Sequence, residues 1–376
     1  MVVGIVCEYN PFHLGHKYQI DKIKEKYPDS TIVIVVSSCF TQRGELSIMN
    51  KWDKTKVALE NGVDLVVELP FVYATQSADI FAKGAIEILN KVGIDTLVFG
   101  IENDNLDVIE KMVDIQLNNS EYDKLVKEYM NDGINYPTAM SKALNKFIDY
   151  KISLPNELLA LSYIKEIRKN NYNIKPIGIK RTNDYHGKVI KDNIVNASLI
   201  RKLLRDEDDI SNFINYDDSL LYKKIDDKLL FDMLKYQIIN NIDRLDKFMT
   251  VDEGIENRIR KVIMNVNSWD DLVKEIKTKR YTYNKINRML VHILCNLKKE
   301  DIKKIDIDYI RILGFSDKGK NYLNRIKKDI DVKIVNHYKK EISYLLDIEY
   351  RITCIYDMIM KSNLSSDEFR KGPIIL

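Results

Sequence analysis

The sequence predicts an α/β fold, with a doubly wound parallel sheet over residues 1–207 and a mostly α-helical, basic region over residues 208–376. Three observations predict it. Short β-branched runs recur roughly every 30 residues, as in strand–helix–strand units. Helical segments separate these runs. Beyond about residue 196 the alternation stops and helical periodicity takes over.

Five apolar runs are expected to form the sheet. Each is short and rich in Val and Ile, which is typical of strands that are covered on both faces. The predicted strands are 2–8, 31–36, 63–67, 95–99 and 174–180.

Helices are predicted between and after these strands, at 15–26, 51–61, 77–91, 105–130, 138–149 and 156–170. The later region has apolar residues at i, i+3 and i+4 spacing, as between Leu229 and Ile239. Short mixed pieces follow near 308–335, with a possible strand at 332–335.

Composition and charge narrow the function classes. With 45% hydrophobic and 31% charged residues, the 376-residue chain is globular rather than disordered. Its net charge of +3 divides into −7 over residues 1–150 and +10 over residues 151–376, which suggests a polyanionic partner. No apolar run reaches the roughly 20 residues that span a membrane. The apolar start has no basic leader, so no signal peptide is expected.

The four cysteines lie far apart with no Cys-x-x-Cys pair, so neither a zinc knuckle nor a disulfide framework is expected, and a reducing cytoplasm is the simplest setting. No metal-ligating residues are predicted.

The strongest functional signal follows the first strand, where residues 8–16 read Glu-Tyr-Asn-Pro-Phe-His-Leu-Gly-His. Pro11 ends the strand, and the next helix starts near Gly15, so its N–H groups face the ligand edge of the sheet. His13 and His16 can face the same way and donate to phosphate oxygens. Chance, a metal half-site or a helix surface are the alternatives for such a pair alone. In this position the pattern matches the His-x-Gly-His signature that nucleotidyltransferases and class I aminoacyl-tRNA synthetases share, and we predict an ATP site with catalytic His13 and His16.

Other loops at the same edge are candidate contributors. The loop 37–45 carries Gln42 and Arg43, which suit an anionic ligand, although a plain surface loop is the alternative. Ser198 and Arg201 open a later helix and are candidates for the phosphate or acetate side, the alternative being a helix cap followed by an exposed arginine.

Taken together, these motifs resemble the tRNA(Met) cytidine acetate ligase family of bacteria. The resemblance covers most of the chain. It rests on the opening motif and on the segments Phe40–Glu45, Asp64–Phe71, Ala74–Ala78 and Arg351–Tyr356. The chain departs from the family at Leu14, where Asn is frequent, and at Ser37-Ser38-Cys39, where Ser-Gly-Asn is more usual.

The resemblance implies a fold and a two-step reaction. The fold would be a Rossmann-like, HIGH-type nucleotidyltransferase domain. ATP and acetate would give acetyl-adenylate and pyrophosphate, with Mg²⁺, and the wobble cytidine of elongator tRNA(Met) would then take the acetyl group. The ATP-binding residues implied by position are Cys7, Glu8, Tyr9, Asn10, Pro11, Phe12, His13, Leu14, Gly15, His16, Lys17, Tyr18, Gln19, Ile20, Gly100, Asn156 and Arg181.

Basic residues with interleaved tyrosines are concentrated in the later region. Residues 251–340 hold 22 Lys or Arg against 13 Asp or Glu, as suits phosphate neutralisation with base stacking. Solvated helix faces are the alternative for most individual lysines. The predicted tRNA contacts are Lys274, Lys277, Lys279, Arg280, Lys285 and Arg288.

Two other functions remain open at this point. One is a small-molecule nucleotidyltransferase that releases pyrophosphate, although such enzymes are often near half this length. The other is a non-enzymatic RNA-binding protein, against which the intact His13, Gly15 and His16 speak.

Overall fold

The computed structural model describes residues 1–103, 105–150, 155–181, 193–303 and 305–376. Its strands are β1 (Val2–Cys7), β2 (Thr31–Ser37), β3 (Leu65–Leu69), β4 (Thr96–Ile101), β5 (Lys175–Lys180), β6 (Tyr309–Phe315), β7 (Lys333–Val335) and β8 (Ile374–Ile375).

The helices alternate with the first five strands and then follow one another. They are α1 (Leu14–Lys26), α2 (Lys51–Glu60), α3 (Phe71–Ala74), α4 (Ala78–Lys91), α5 (Leu106–Asn118), α6 (Ser120–Asn131), α7 (Tyr136–Leu144), α8 (Pro155–Lys169), α9 (Ala197–Arg205), α10 (Asp227–Asn240), α11 (Ile255–Val262), α12 (Trp269–Ile276), α13 (Tyr283–Leu294), α14 (Lys299–Ile302), α15 (Asp317–Ile326), α16 (Tyr344–Met360) and α17 (Leu364–Arg370).

The sheet has the strand order β5-β4-β1-β2-β3-β6-β7, with β8 paired to β6. The first five strands are parallel, so their carboxyl ends meet at one edge. The chain crosses from β2 and β3 on one side of β1 to β4 and β5 on the other. This change of direction opens a crevice beside the end of β1, where ligands of such sheets bind. The predicted doubly wound α/β fold is confirmed.

The central strands are continuous apolar runs because both faces of the sheet are covered. All seven residues of β2 and all five of β3 are buried. The predicted strands therefore lie within one or two residues of the observed ones, and the possible strand at 332–335 is confirmed as β7.

Two expectations differ from the structure. The single helix predicted over 105–130 is two helices, because Asn119 caps α6 through its side-chain oxygen, which accepts from the N–H groups of Glu121 and Tyr122. The parallel sheet predicted for residues 1–207 also gains a strand from the later region, because β6 pairs with β3 in the antiparallel sense.

The last part of the chain returns to the sheet. After the helices α10–α14, strands β6, β7 and β8 extend it beyond β3. The helices α10–α14 therefore lie in the chain between strands β1–β5 and strands β6–β8, which share one sheet. The domain boundary between residues 207 and 208 remains a prediction.

A buried ionic cluster attaches this returning segment to the first half of the chain. Lys51 of α2 contacts Glu68 of β3 at 2.6 Å and also Glu368 of α17. Arg311 of β6 contacts Glu368 at 2.6 Å. Since breaking a buried ion pair costs several kcal/mol, roughly 3–5, these contacts hold the returning segment in place.

No helix in the described ranges is long and apolar enough to cross a bilayer.

Candidate functional site

The two histidines form the start of α1. His13 is the N-cap residue: its Nδ1 accepts from the N–H of Gly15 at 3.0 Å, and its own N–H donates to Nδ1 of His16 at 3.2 Å. The two rings lie against each other, with centroids 3.8 Å apart. Because Nδ1 of each ring accepts a hydrogen bond, the neutral rings carry their proton on Nε2. The pair therefore presents two N–H donors.

Both rings are neutral at physiological pH. Burial lowers the pKa of His13 to about 3, and the nearby Arg181 and Arg201 add to this effect. Burial also holds the pKa of His16 well below its usual range, with further contributions from His13 and Arg181. A neutral imidazole can act on an anion only as a hydrogen-bond donor, so positive charge beside the pair comes from the two arginines.

Gly15 is required by the closeness of the His13 ring. A Cβ at this position would lie 2.8 Å from Cε1 and 2.9 Å from Nδ1 of that ring. Any larger residue must therefore displace the ring that caps the helix. The glycine of the motif maintains the histidine geometry.

The other predicted residues of the segment 7–20 divide by exposure. The side chains of Cys7, Tyr9, Phe12 and Ile20 are buried and pack inside the molecule. Asn10, Pro11 and His13 are buried as well, whereas Glu8, Leu14, Gly15, His16, Lys17, Tyr18 and Gln19 are partly exposed.

Gly100, Arg181 and Asn156 gather at the carboxyl ends of β4 and β5. A Cβ on Gly100 would lie 3.3 Å from Cγ of Arg181, so the arginine side chain covers the glycine. Asn156 follows the first residue of α8 and donates from its backbone N–H and its Nδ2 to Oε1 of Glu102, at 3.2 and 2.6 Å. Since both of these donors are used, Oδ1 of Asn156 remains the acceptor for another group.

Arg201 is placed beside the histidines, but its guanidinium already has partners. It donates to the backbone oxygen of Asn10 at 2.7 Å and to Oε2 of Glu45 at 2.7 Å. A weaker bond joins it to Oγ of Ser198 at 3.3 Å. Arg201 therefore connects α9 to the opening motif and to the loop after β2.

That loop, residues 38–46, is fixed from two sides. The N–H of Gln42 donates to Oε1 of Glu8 at 2.5 Å. Lys54 of α2 donates from Nζ to the backbone oxygens of Ser37 and Ser38, at 2.9 and 3.1 Å. Lys54 was not predicted as a site residue. The one feature of the sequence that could have indicated it is its position among the apolar residues on the buried face of α2. Burial lowers its pKa to about 8.

Five of the six basic residues predicted to contact RNA lie on the surface of α12, α13 and the turn between them. Lys285 lies over the ring of Tyr281, and Lys277 over that of Tyr283, at 4.7 and 5.1 Å from the centroids. Arg288 is different: its Nη1 donates to the backbone oxygen of Gln42 at 3.2 Å. It therefore faces the loop beside the nucleotide site.

Within the described ranges, no group of three or more His, Cys, Asp or Glu residues is arranged to hold a metal ion.

A family model matches nearly the whole chain, and curated relatives match it from end to end. The model, described as HIGH Nucleotidyl Transferase, covers residues 1–371. The tRNA(Met) cytidine acetate ligase of Clostridium perfringens is 37% identical, over 100% of this chain and 99% of the relative. The protein of the same name from Oceanobacillus iheyensis is 36% identical, over 99% of both chains.

Solved structures agree with these relatives. Thermotoga maritima TmcAL without ligand superposes with a TM-score of 0.90 at 28% identity, covering 100% of this chain and 99% of the other. The same protein bound to alpha-thio ATP gives a TM-score of 0.88 with the same coverage. With its paired histidines at the first helix of a doubly wound sheet, this chain belongs to the tRNA(Met) cytidine acetate ligase family of the HIGH nucleotidyl transferases.

Proposed function

We propose that this protein is an ATP-dependent ligase that acetylates the wobble cytidine of elongator tRNA(Met), using acetate through an acetyl-adenylate. The observation that carries the proposal is the pair of neutral histidines, both presenting Nε2–H, at the helix that follows β1. The full-length similarity to relatives with this name supports the choice of substrate.

In the first step, a carboxylate oxygen of acetate attacks the α-phosphorus of ATP and pyrophosphate leaves. His13 and His16 are the catalytic residues that donate from Nε2 to phosphate oxygens, where negative charge develops. The N–H groups of the first turn of α1 add to this stabilisation. In the second step, the exocyclic amine of cytidine attacks the acyl carbon and AMP leaves.

The nucleotide is expected to contact residues 7–20, Gly100, Asn156 and Arg181. Gly100 leaves room for a ring or a sugar beside the backbone. Oδ1 of Asn156, fixed in orientation by Glu102, suits an N–H or O–H donor of the nucleoside. Arg181 supplies positive charge next to both histidines.

Gln42, Arg43, Ser198 and Arg201 are proposed for the phosphate or acetate side of the site. Arg201 contributes mainly by fixing this wall, since Asn10 and Glu45 already accept from its guanidinium. Mg²⁺ enters the proposal only as a counter-ion of the ATP phosphates. The described residues offer it no set of three ligands, so no step is assigned to it.

The surface proposed for tRNA consists of the exposed and partly exposed basic residues around the start of α13, together with Tyr283, whereas Tyr281 is buried beneath Lys285. Lysine and arginine neutralise phosphates, and Tyr283, which is 59% exposed, offers a ring for stacking. The basic members are Lys274, Lys277, Lys279, Arg280 and Lys285. A cytoplasmic location is part of the proposal, because that is where a bacterial tRNA is met.

The experiment that tests the proposal incubates the protein with ATP, radiolabelled acetate and bulk tRNA. Label in the RNA, lost when tRNA(Met) is removed from the pool, is the expected result. A protein that leaves RNA unlabelled but releases pyrophosphate with a phosphorylated metabolite would instead be a small-molecule nucleotidyltransferase.

A further inference from the structure

Helix α13, the last helix of the segment α10–α13, contacts the loop of residues 38–46 that follows β2. Gly44 in that loop has φ +75°, a left-handed conformation that favours glycine. A Cβ on Gly44 would lie 2.7 Å from the backbone N of Arg288 and 2.7 Å from the backbone C of Asn287. The loop and the helix therefore meet backbone to backbone, with no space for a side chain between them.

Arg288 adds a directional bond to this contact. Its Nη1 donates to the backbone oxygen of Gln42 at 3.2 Å. The side chain is partly buried, and this burial lowers its pKa to about 10. Among the described residues it has no carboxylate within ion-pair distance, so its position is set by Gln42 rather than by a charge partner.

Gln42 passes this contact on to the nucleotide site. Its N–H donates to Oε1 of Glu8 at 2.5 Å, and Glu8 is the first residue after β1. Glu45, three residues after Gln42, accepts a hydrogen bond from Arg201. Arg201 also donates to the backbone oxygen of Asn10. The loop is therefore attached to the opening motif through Gln42, Leu46 and, by way of Arg201, Glu45, and it meets α13 at Gln42 and Gly44.

We propose that Arg288 is a positioning residue for adenylation, which holds Gln42 and thereby Glu8 and the opening motif in their active arrangement. The inference rests on the proposed function. It makes the helical segment part of the adenylation machinery as well as a surface for RNA. Lys285, in the surface proposed for tRNA, lies on the same helix three residues before Arg288.

The test is acetate-dependent exchange of pyrophosphate into ATP, measured on the full chain without RNA. We expect Arg288→Met to slow this exchange about tenfold or more, as loss of a hydrogen bond from a charged group does. Arg288→Lys should restore part of the rate, because lysine can also donate to a carbonyl oxygen. The matched control is Arg258→Met on α11, which removes an exposed arginine that donates to the backbone oxygen of Glu275 at 3.0 Å.

A second variant disturbs the same contact from the other side. Gly44→Ala places a methyl group where the backbone of α13 lies, and should slow exchange at least as much. If Arg288→Met does not fold, the exchange rate of Gly44→Ala tests the role of the contact between the loop and α13. Affinity for tRNA, measured separately by filter binding, should stay near wild type in Arg288→Met, whereas general misfolding would lower affinity and exchange together.

Wild-type exchange in the Arg288→Met or Gly44→Ala protein would overturn the inference. So would an Arg288→Met protein that loses only tRNA affinity, since Arg288 would then be an RNA contact. A wild-type protein without acetate-dependent exchange would contradict the proposed function itself, and the inference with it.

Discussion

His16 has a structural role at one ring nitrogen and a proposed catalytic role at the other, and one substitution can separate the two. Nδ1 accepts from the N–H of His13 at 3.2 Å and helps to close the start of α1. Nε2 is the donor proposed for phosphate. Asparagine places its Oδ1 where Nδ1 of histidine lies and has no atom at the position of Nε2. His16→Asn therefore keeps the helix cap and removes the donor, whereas His16→Ala removes both.

The expected magnitudes follow from the charge of the ring. Removing a donor aimed at developing charge costs about 10²–10³ in rate. The pKa of His16 is held well below its usual range by burial, by His13 and by Arg181, so the donor is neutral and the lower value, about 100-fold, applies. Losing the cap in His16→Ala should lower the free energy of unfolding by about 1 kcal/mol more than His16→Asn does.

The assay is acetate-dependent exchange of pyrophosphate into ATP, with urea unfolding of the same samples. Lys22→Ala, at a partly exposed position on the same helix, is the control and should behave as wild type. Exchange by His16→Asn within twofold of the wild-type rate would refute the role of Nε2. Equal stability of the two His16 variants would refute the role of Nδ1.

Three further predictions concern buried charges and RNA. Because burial lowers the pKa of folded Lys54 to about 8 from 10.5, the unfolded chain binds more protons between these values, and the free energy of unfolding should rise with pH there. Urea titrations should show a smaller rise for Lys54→Met, and an unchanged slope would contradict this. For Glu349, burial and Glu68 raise the pKa to about 8 from 4.5, so stability should fall as pH rises through that window. Glu349→Gln should lessen this fall, and a wild-type pH profile would count against the assignment. Binding of tRNA should weaken steeply with salt, and Lys279→Ala should reduce the slope of log K against log salt by about 1; an unaltered slope would remove Lys279 from the interface.

Features that depend on neighbouring residues could be predicted from the sequence. The strands of the parallel sheet are continuous apolar runs. The hydrogen bonds among His13, Gly15 and His16 all lie within the first turn of one helix. Its position after β1 follows from the order of the elements. For these reasons the fold and the place of the histidines agree with the prediction.

Features that depend on distant partners could not be predicted in this way. Arg201 was a candidate for the phosphate or acetate side, with an exposed arginine as the alternative. In the structure Glu45 and Asn10, more than 150 positions away along the chain, accept from its guanidinium. Strand β6 contains Arg311, which breaks its apolar run. That arginine is buried only because Glu368 lies next to it in the folded chain.

The most direct test of the acetyl-adenylate route follows the oxygen atoms of acetate. With acetate labelled by ¹⁸O in both positions, attack on the α-phosphorus leaves one labelled oxygen between phosphorus and the acyl carbon. Attack by the cytidine amine on that carbon then releases AMP with one ¹⁸O, and the acetylated nucleoside keeps the other. Mass spectrometry should find one ¹⁸O in AMP and one in N4-acetylcytidine from tRNA(Met). Unlabelled AMP alongside acetylated tRNA would contradict the account.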